Sequence, residues 1–314
     1  MLGHRPSGHA NVSGTVRRFA VVASRVTPTN RGLLEAARGL GVSASLVQPA
    51  NAAAWLRPGD VALGRLDVLP SLDGVEPGLY ALRRLERAGI RVLNGPAALL
   101  AAHDKLTTAV QLGLAGLPHP RTVHVAEGRR PHLALPVVVK PRFGSWGRDV
   151  VACRSRLGLS HCLRRFRSRA WFRRQGALVQ ELIPARGRDL RIIVAGGEVV
   201  GAVERVAAAG EWRTNVALGG RRRAVDPPLD ARLLAVAAAH SIGADLAGVD
   251  LLPDGSGGFV VLEVNGAVDF TDEYSLGGVP VFQRAVEALL AGGYAQADEE
   301  EAQAAGAHPS WARA

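Results

Sequence analysis

The sequence predicts an α/β protein of three lobes: an N-terminal parallel α/β lobe, a small central lobe and a C-terminal α+β lobe. Three observations point there. Short apolar runs alternate with helix-period segments up to about residue 96. Two β-branched runs, Val137 to Lys140 and Val150 to Cys153, flank a loop bearing Gly144 and Gly147. Near the other end, Gly248 to Leu252, the turn Asp254 to Gly258 and Phe259 to Val264 form a strong hairpin signal.

In the first lobe, Phe19 to Ala23 reads as a buried strand. Thr27-Pro28-Thr29-Asn30 then forms a turn and cap before a helix over Gly32 to Arg38. Val42 to Val47, Asp60 to Gly64 and Ile90 to Asn94 are further strands, with helices over Ala52 to Leu56 and around Leu79 to Ala88. Pro96 to Ala115 reads as two helical segments with Lys105 between them, and Pro118 and Pro120 lead into a strand at Thr122-Val123. Leu157 to Trp171 reads as a helix rich in arginine. Leu178 to Ile183 opens a third region that resumes over Asp189 to Val194, turns at Gly196-Gly197 and continues over Glu198 to Val206. Long helices are expected over Leu229 to His240 and Val281 to Leu290. The expected organisation is a flexible N-terminus (1–16), an α/β domain (17–100), a central subdomain (101–177), a C-terminal subdomain (178–294) and a tail (295–314).

Composition narrows the function classes. With 314 residues, 47% of them hydrophobic, the chain can bury a substantial core. No apolar stretch is long enough to span a membrane and Met1 to Asn11 is polar, so a cytoplasmic protein without a membrane partner is expected. Cys153 and Cys162 are too few for a disulfide scaffold and are expected as reduced thiols. The formal net charge of +10 suits acidic substrates, an anionic surface or nucleic acid. Of the 38 Lys+Arg residues only Lys105 and Lys140 are lysines, which singles them out. A compact ammonium on a flexible stem can enter a phosphate pocket that a planar guanidinium fits less well.

Lys140 at a strand end beside Gly144-Ser145-Trp146-Gly147 offers a cation, peptide N–H groups and a hydroxyl that can converge on polyphosphate. This is neither Walker A spacing nor a dinucleotide fingerprint. On the predicted hairpin, Asp250 can face Glu263 and Asn265, which lie on one face of their strand. Such an oxygen-only set suits magnesium. Arg191, Arg205 and Arg213 are spaced between the loop and the hairpin, where a guanidinium could pair with a carboxylate or a transferring phosphoryl group. No Ser-His-Asp or Cys-His arrangement stands out.

These ordered motifs make the chain resemble the RimK-like branch of the ATP-grasp superfamily from about residue 18 to 290, with local resemblance to the lysine-biosynthesis ligase LysX. The matching segments are Asp104-Lys105, Leu114 to Pro118, Lys140-Pro141 through Arg148, Gly187 to Arg191, Asn215 with Gly219-Gly220, and Asp250 with Glu263-Val264-Asn265. The resemblance implies an ATP-grasp fold and an ADP-forming carboxylate-amine ligase that uses ATP and Mg2+, with Mn2+ as a substitute. It implies that Lys105 and Lys140 contact the nucleotide phosphates and that Ser145, Trp146, Gly147 and Arg148 belong to a lid loop. It further implies that Glu181, Leu182 and Ile183 form the adenine hinge and that Asp189 binds ribose. Asp250, Glu263 and Asn265 would then be the metal ligands, and Arg191, Arg205, Arg213 and Asn215 the catalytic or acceptor contacts.

The expected partners are an amino-acid co-substrate, with glutamate favoured, and an acidic acceptor: a small molecule, the tail of a pterin or furan cofactor, or a carrier protein. A homodimer or homotetramer is expected from the resemblance. Gly248 stands where the peptidoglycan dipeptide ligases carry arginine, and Gly266 to Thr271 lacks the Ser/Pro/Gly turn of many relatives, so a D-alanine ligase is a poor reading. The competing reading is a nucleic-acid-binding protein using Arg164, Arg165, Arg167 and Arg169 with Trp171 and Phe172. Only 5% of residues are aromatic and no reading motif is present, so no specific nucleic acid is expected.

Overall fold

The computed structural model describes residues 16–126 and 131–291, so the tail expected over 295–314, and all but Val16 of the expected N-terminal segment, lie outside the described residues. The first lobe contains β1 (Arg18–Val22), α1 (Pro28–Gly39), β2 (Ala44–Val47), α2 (Pro49–Trp55), β3 (Asp60–Gly64), α3 (Leu79–Arg87) and β4 (Arg91–Leu93). Its four strands pair in the order β2-β1-β3-β4, all parallel. Both faces are covered: Phe19, Val21 and Leu63 pack on one side, Ala20, Val22 and Ala62 on the other. Thr27 caps α1 by accepting the Asn30 N–H, and Pro28 sits where its missing donor costs nothing.

Two helices, α4 (Pro96–His103) and α5 (Lys105–Leu114), lead into β5 (Thr122–Val125), β6 (Val137–Pro141), β7 (Val151–Cys153), α6 (Arg156–Phe166), α7 (Ala170–Gln175) and β8 (Ala177–Glu181). The central sheet runs β5-β8-β6-β7 and is antiparallel. Thus β8 closes the central sheet, whereas the sequence reading placed it at the head of the third region. Its continuity with the following apolar run conceals a change of sheet at Pro184 to Gly187. The helix expected over Leu157 to Trp171 is two helices, broken at 167–169 so that Trp171 turns back edge-on to Phe166 at 5.0 Å. Cys153 and Cys162 are free and buried, and burial beside Cys153 pushes the Cys162 thiol up to about 12.

The third lobe holds β9 (Arg188–Ala195), β10 (Glu198–Val206), β11 (Arg221–Ala224), α8 (Leu229–Ser241), β12 (Leu246–Pro253), β13 (Phe259–Asn265) and α9 (281–291). Its antiparallel order is β11-β10-β9-β12-β13. Strand β11 was not expected, because Arg221-Arg222-Arg223 has no apolar alternation. Ala231, Ala235, Ala238 and Ala239 let α8 lie close against Ile192, Val194 and Val249 on one face. On the other face, Ile193, Ala195 and Val203 join the core of the first lobe. Buried Asn94 clamps the two lobes: its amide donates to the Leu246 and Gly266 carbonyls and accepts the Asp245 and Leu246 N–H groups.

Candidate active site

Strand alternation puts Asp189 and Arg191 on the sheet face that, farther along β9, carries Ile193 and Ala195 into the core. At the cleft end the same face is charged. Cross-strand register pairs Asp189 with Arg205, Arg191 with Asp250, and Asp250 with Glu263. A bulge after Asp250 lets Leu251 pair with Val261. Arg205 donates to both Asp189 oxygens, at 2.7 and 2.6 Å, and to Asp250 at 2.7 Å. Arg191 grips Asp250 in a second bidentate pair, at 2.7 and 2.8 Å. Thr214 also bonds to Asp189. Burial pushes the Asp250 carboxyl up, but Arg191 and Arg205 outweigh it and hold the group at about 2. The Arg205 guanidinium is disfavoured by burial, yet Asp250 and Asp189 raise its pKa further.

Asp104 caps α5 by accepting the Leu106 N–H and grips Arg142 in a bidentate pair at 2.7 and 2.5 Å. That pair fixes the start of the glycine loop against Lys105, whose Nζ donates at 2.8 Å both to the Gly144 carbonyl and to Glu263 Oε1. Despite its burial, Glu263 is held below the usual carboxylate range by Lys105. Lys140 is buried and donates to Gln180 Oε1 at 2.7 Å, while Gln180 in turn donates to Thr122. Burial, with Lys105 adding to it, lowers the Lys140 ammonium to about 8. Trp146, Gly147 and Asp149 have positive φ, and Trp146 is exposed. The loop meets the third lobe where Arg213 donates to the Gly147 carbonyl at 3.1 Å while gripping Glu211.

These elements enclose a cavity of about 720 Å3. Lys105, Lys140, Ser145, Trp146, Gly147, Glu181, Leu182, Ile183, Asp189, Arg191, Arg205, Arg213, Asn215, Asp250, Glu263 and Asn265 all line it. Arg148 does not, and it is exposed. Asp189, expected as a ribose carboxylate, is 2% exposed and has both oxygens committed to Arg205, because register sets those two residues opposite each other. Val138, Leu182, Leu252 and Leu262 supply an aliphatic wall that can cover a flat base. Glu181 and Leu182 donate their N–H groups to the Arg121 and Pro136 carbonyls.

Sequence reasoning missed Gln180, Asp67 and Arg222, which also line the cavity. Gln180 is a polar residue that follows the apolar run Ala177 to Val179, a signal that was available. Asp67 and Arg222 lie in a loop and in an arginine run, where nothing local marks them. Trp171 and Phe172 are 3% exposed and packed in the central core, so the surface of α6 and α7 carries arginines without an aromatic platform.

The residues expected to hold a metal, Asp250, Glu263 and Asn265, all line this cavity. Among the described residues no group of three or more His, Cys, Asp or Glu side chains is arranged to hold a metal ion. Two carboxylates and an amide fit a hard divalent ion that takes its other oxygens from phosphate and water. Asp250 is the more committed of the two carboxylates, and Glu263 engages only Lys105 among the described ion pairs.

The model of the RimK-like ATP-grasp domain matches residues 100–287. A "Probable alpha-L-glutamate ligase" of Enterobacter sp. is 36% identical over 213 residues, 63% of this chain and 69% of that one. Another of the same description, from Serratia proteamaculans, is 32% identical over 272 residues and covers 81% and 89%. The crystal structure of a RimK domain ATP-grasp protein from Sphaerobacter thermophilus superposes with a TM-score of 0.60 at 25% identity, covering 87% of this chain and 99% of that chain.

Proposed function

This chain belongs to the RimK-like ATP-grasp family, and we propose that it is an ADP-forming carboxylate-amine ligase that joins glutamate or a related amino acid to an acidic acceptor. The observation that carries the reading is Lys105, whose ammonium bonds at once to the glycine loop and to Glu263, so the phosphate-binding and metal-binding halves meet at one atom. ATP would lie with its base against Val138, Leu182 and Leu252, its edge read by the remaining backbone groups of the 181–183 hinge. Its phosphates would lie between Lys105, Lys140 and the loop. Asp250, Glu263 and Asn265 would hold Mg2+, which when bound neutralises phosphate oxygens as a Lewis acid. Arg191 and Arg205 keep Asp250 ionised for that role.

In the first step the acceptor carboxylate attacks the γ-phosphorus, and the bond to the β-phosphate oxygen breaks, giving an acylphosphate and ADP. Attack by the unprotonated amine on the acyl carbon then forms the amide and expels phosphate, with the amine proton released. Arg213 and Asn215, beside Gly147, are placed to hold the closed loop over the reacting groups, which limits hydrolysis of the acylphosphate. The charge of +10 supports an anionic acceptor, either an acidic carrier protein or a cofactor tail, and the use of ATP supports a cytoplasmic enzyme. Among the described residues no helix is long and apolar enough to cross a membrane.

The test is incubation with ATP, Mg2+, L-glutamate and a panel of acidic acceptors, read by acceptor mass. A gain of one or more glutamyl residues with ADP release is expected. RNA or DNA binding that persists in Asp250→Asn and Lys140→Ala, without ATP use on any acceptor, would replace this reading.

A further inference from the structure

At the end of the cavity formed by the first lobe and the 266–274 segment, Arg25, Arg65, Asp67, Glu76 and Asp269 lie together. Four of them pair off, Arg25 with Glu76 at 3.2 Å and Arg65 with Asp269 at 3.3 Å. Asp67 has no ion pair among the described residues. One of its oxygens accepts the Val68 N–H at 2.6 Å, and its carboxylate lines the cavity. Arg25 and Arg65 are close enough to act on Asp67 but are themselves paired to Glu76 and Asp269, so burial, with Asp269 adding to it, still pushes the Asp67 carboxyl up, and a cation brought into the cavity would relieve it.

The opposite charge faces the same cavity from β11. Arg222 stands directly across from Arg205, an unfavourable like-charge pairing, and its guanidinium lies 5.7 Å from the centroid of Tyr274. Among the described residues its ion pair is to Glu273 at 2.9 Å, a side chain 62% exposed, and such a solvent-facing pair is weak and exchangeable. The Arg222 Nε is buried without a hydrogen-bond partner among the described residues. The residues beside the two charges, Asp269 near Asp67 and Tyr274 near Arg222, belong to one packed segment. Asp269 and Tyr274 flank Phe270, which is buried between the lobes and bonded through both backbone groups to Thr29, while Arg65 donates to the Val268 carbonyl at 2.7 Å.

Resting on the amino-acid ligase reading above, we propose that Asp67 and Arg222 are the two poles of an α-amino-acid subsite, Asp67 holding the ammonium and Arg222 a carboxylate. A carboxylate without an ion pair and a loosely paired guanidinium on one cavity are complementary in sign to the two ends of a zwitterion. A ligand with carboxylates alone would leave Asp67 unpaired, and a simple amine would leave Arg222 to Glu273. Asp67 and Arg222 are thus positioning and selectivity residues for the incoming amine.

The test is equilibrium titration of the full chain, saturated with a non-hydrolysable ATP analogue and Mg2+, using L-glutamate and its deaminated counterpart glutarate as probes. Asp67→Asn is expected to weaken L-glutamate by about tenfold or more, the loss of one charged hydrogen bond, while leaving glutarate and the analogue unchanged. Arg222→Gln is expected to weaken both probes about tenfold. Asp67→Glu, which keeps the charge, should retain most of the L-glutamate affinity and guards against a folding defect. The inference is overturned if Asp67→Asn leaves L-glutamate unchanged, if it weakens L-glutamate, glutarate and analogue alike, or if the analogue-bound wild type takes up neither probe. Failure of the wild type to bind the analogue would instead overturn the ligase reading on which the subsite depends.

Discussion

At the scale of single residues, the two carboxylates of the hairpin divide their labour by burial. Asp250 is locked between two guanidiniums, so Asp250→Asn leaves Arg191 without a counter-charge and costs about 3 kcal/mol or more, measurable by urea denaturation. Glu263, 26% exposed and bonded to Lys105, carries more of the chemistry than of the stability. Glu263→Gln is therefore expected to lower ADP release about 100-fold while shifting the unfolding midpoint less than Asp250→Asn does. Lys140 makes a prediction in pH. Burial lowers its ammonium from 10.5 to about 8, so the charge that would meet phosphate is present below about pH 8 and lost above it. KM for ATP should rise with pH through that range in the wild type, and a flat profile in Lys140→Met would assign the inflection. Residue type and spacing singled out Lys105, Lys140, Asp250, Glu263 and Asn265, and the fold brings all five to one cavity. Their partners were not: Arg205 meets Asp189 and Asp250 only because β10 and β12 flank β9, and strand order is absent from local sequence.

At the scale of elements, the strongly periodic segments were readable and the polar or sheet-changing ones were not. The β12–β13 hairpin and the parallel first lobe came directly from apolar alternation. Strand β11 is a run of arginines at a sheet edge, fixed by its pairing with β10 rather than by its own pattern. The tight approach of β12 to the 266–271 loop was likewise invisible. A Cβ on Gly248 would lie 2.4 Å from Val268 Cγ2, so this strand can carry no side chain there without moving the loop. Gly248→Ala is expected to cost about 1–3 kcal/mol by thermal melting, the range for overpacking a filled core. It should also raise KM for the amine more than KM for ATP, because the displaced loop bears Asp269 and not the phosphate contacts.

At the scale of the whole molecule, the cleft exists because the first and third lobes share one core and the central lobe is set against them by Lys105 and the Asp104–Arg142 pair. Asn94 is the polar rivet of that shared core, and Asn94→Ala strands buried backbone groups of Asp245, Leu246 and Gly266. A loss of about 3 kcal/mol or more is expected in denaturant unfolding. The positive field acts over longer range. KM for an anionic acceptor should rise with ionic strength, because salt screens charges beyond roughly 10 Å at 0.1 M. KM for the zwitterionic amine should respond much less. The central claim, that two ammonium groups and an acidic hairpin enclose one triphosphate, is tested most directly by a crystal structure with a non-hydrolysable ATP analogue and Mg2+. The phosphates are expected within hydrogen-bonding reach of Lys105 and Lys140, with the metal on Glu263, Asp250 and Asn265. An analogue bound elsewhere, or phosphates in the cleft that leave either lysine on its present partner, would contradict the account.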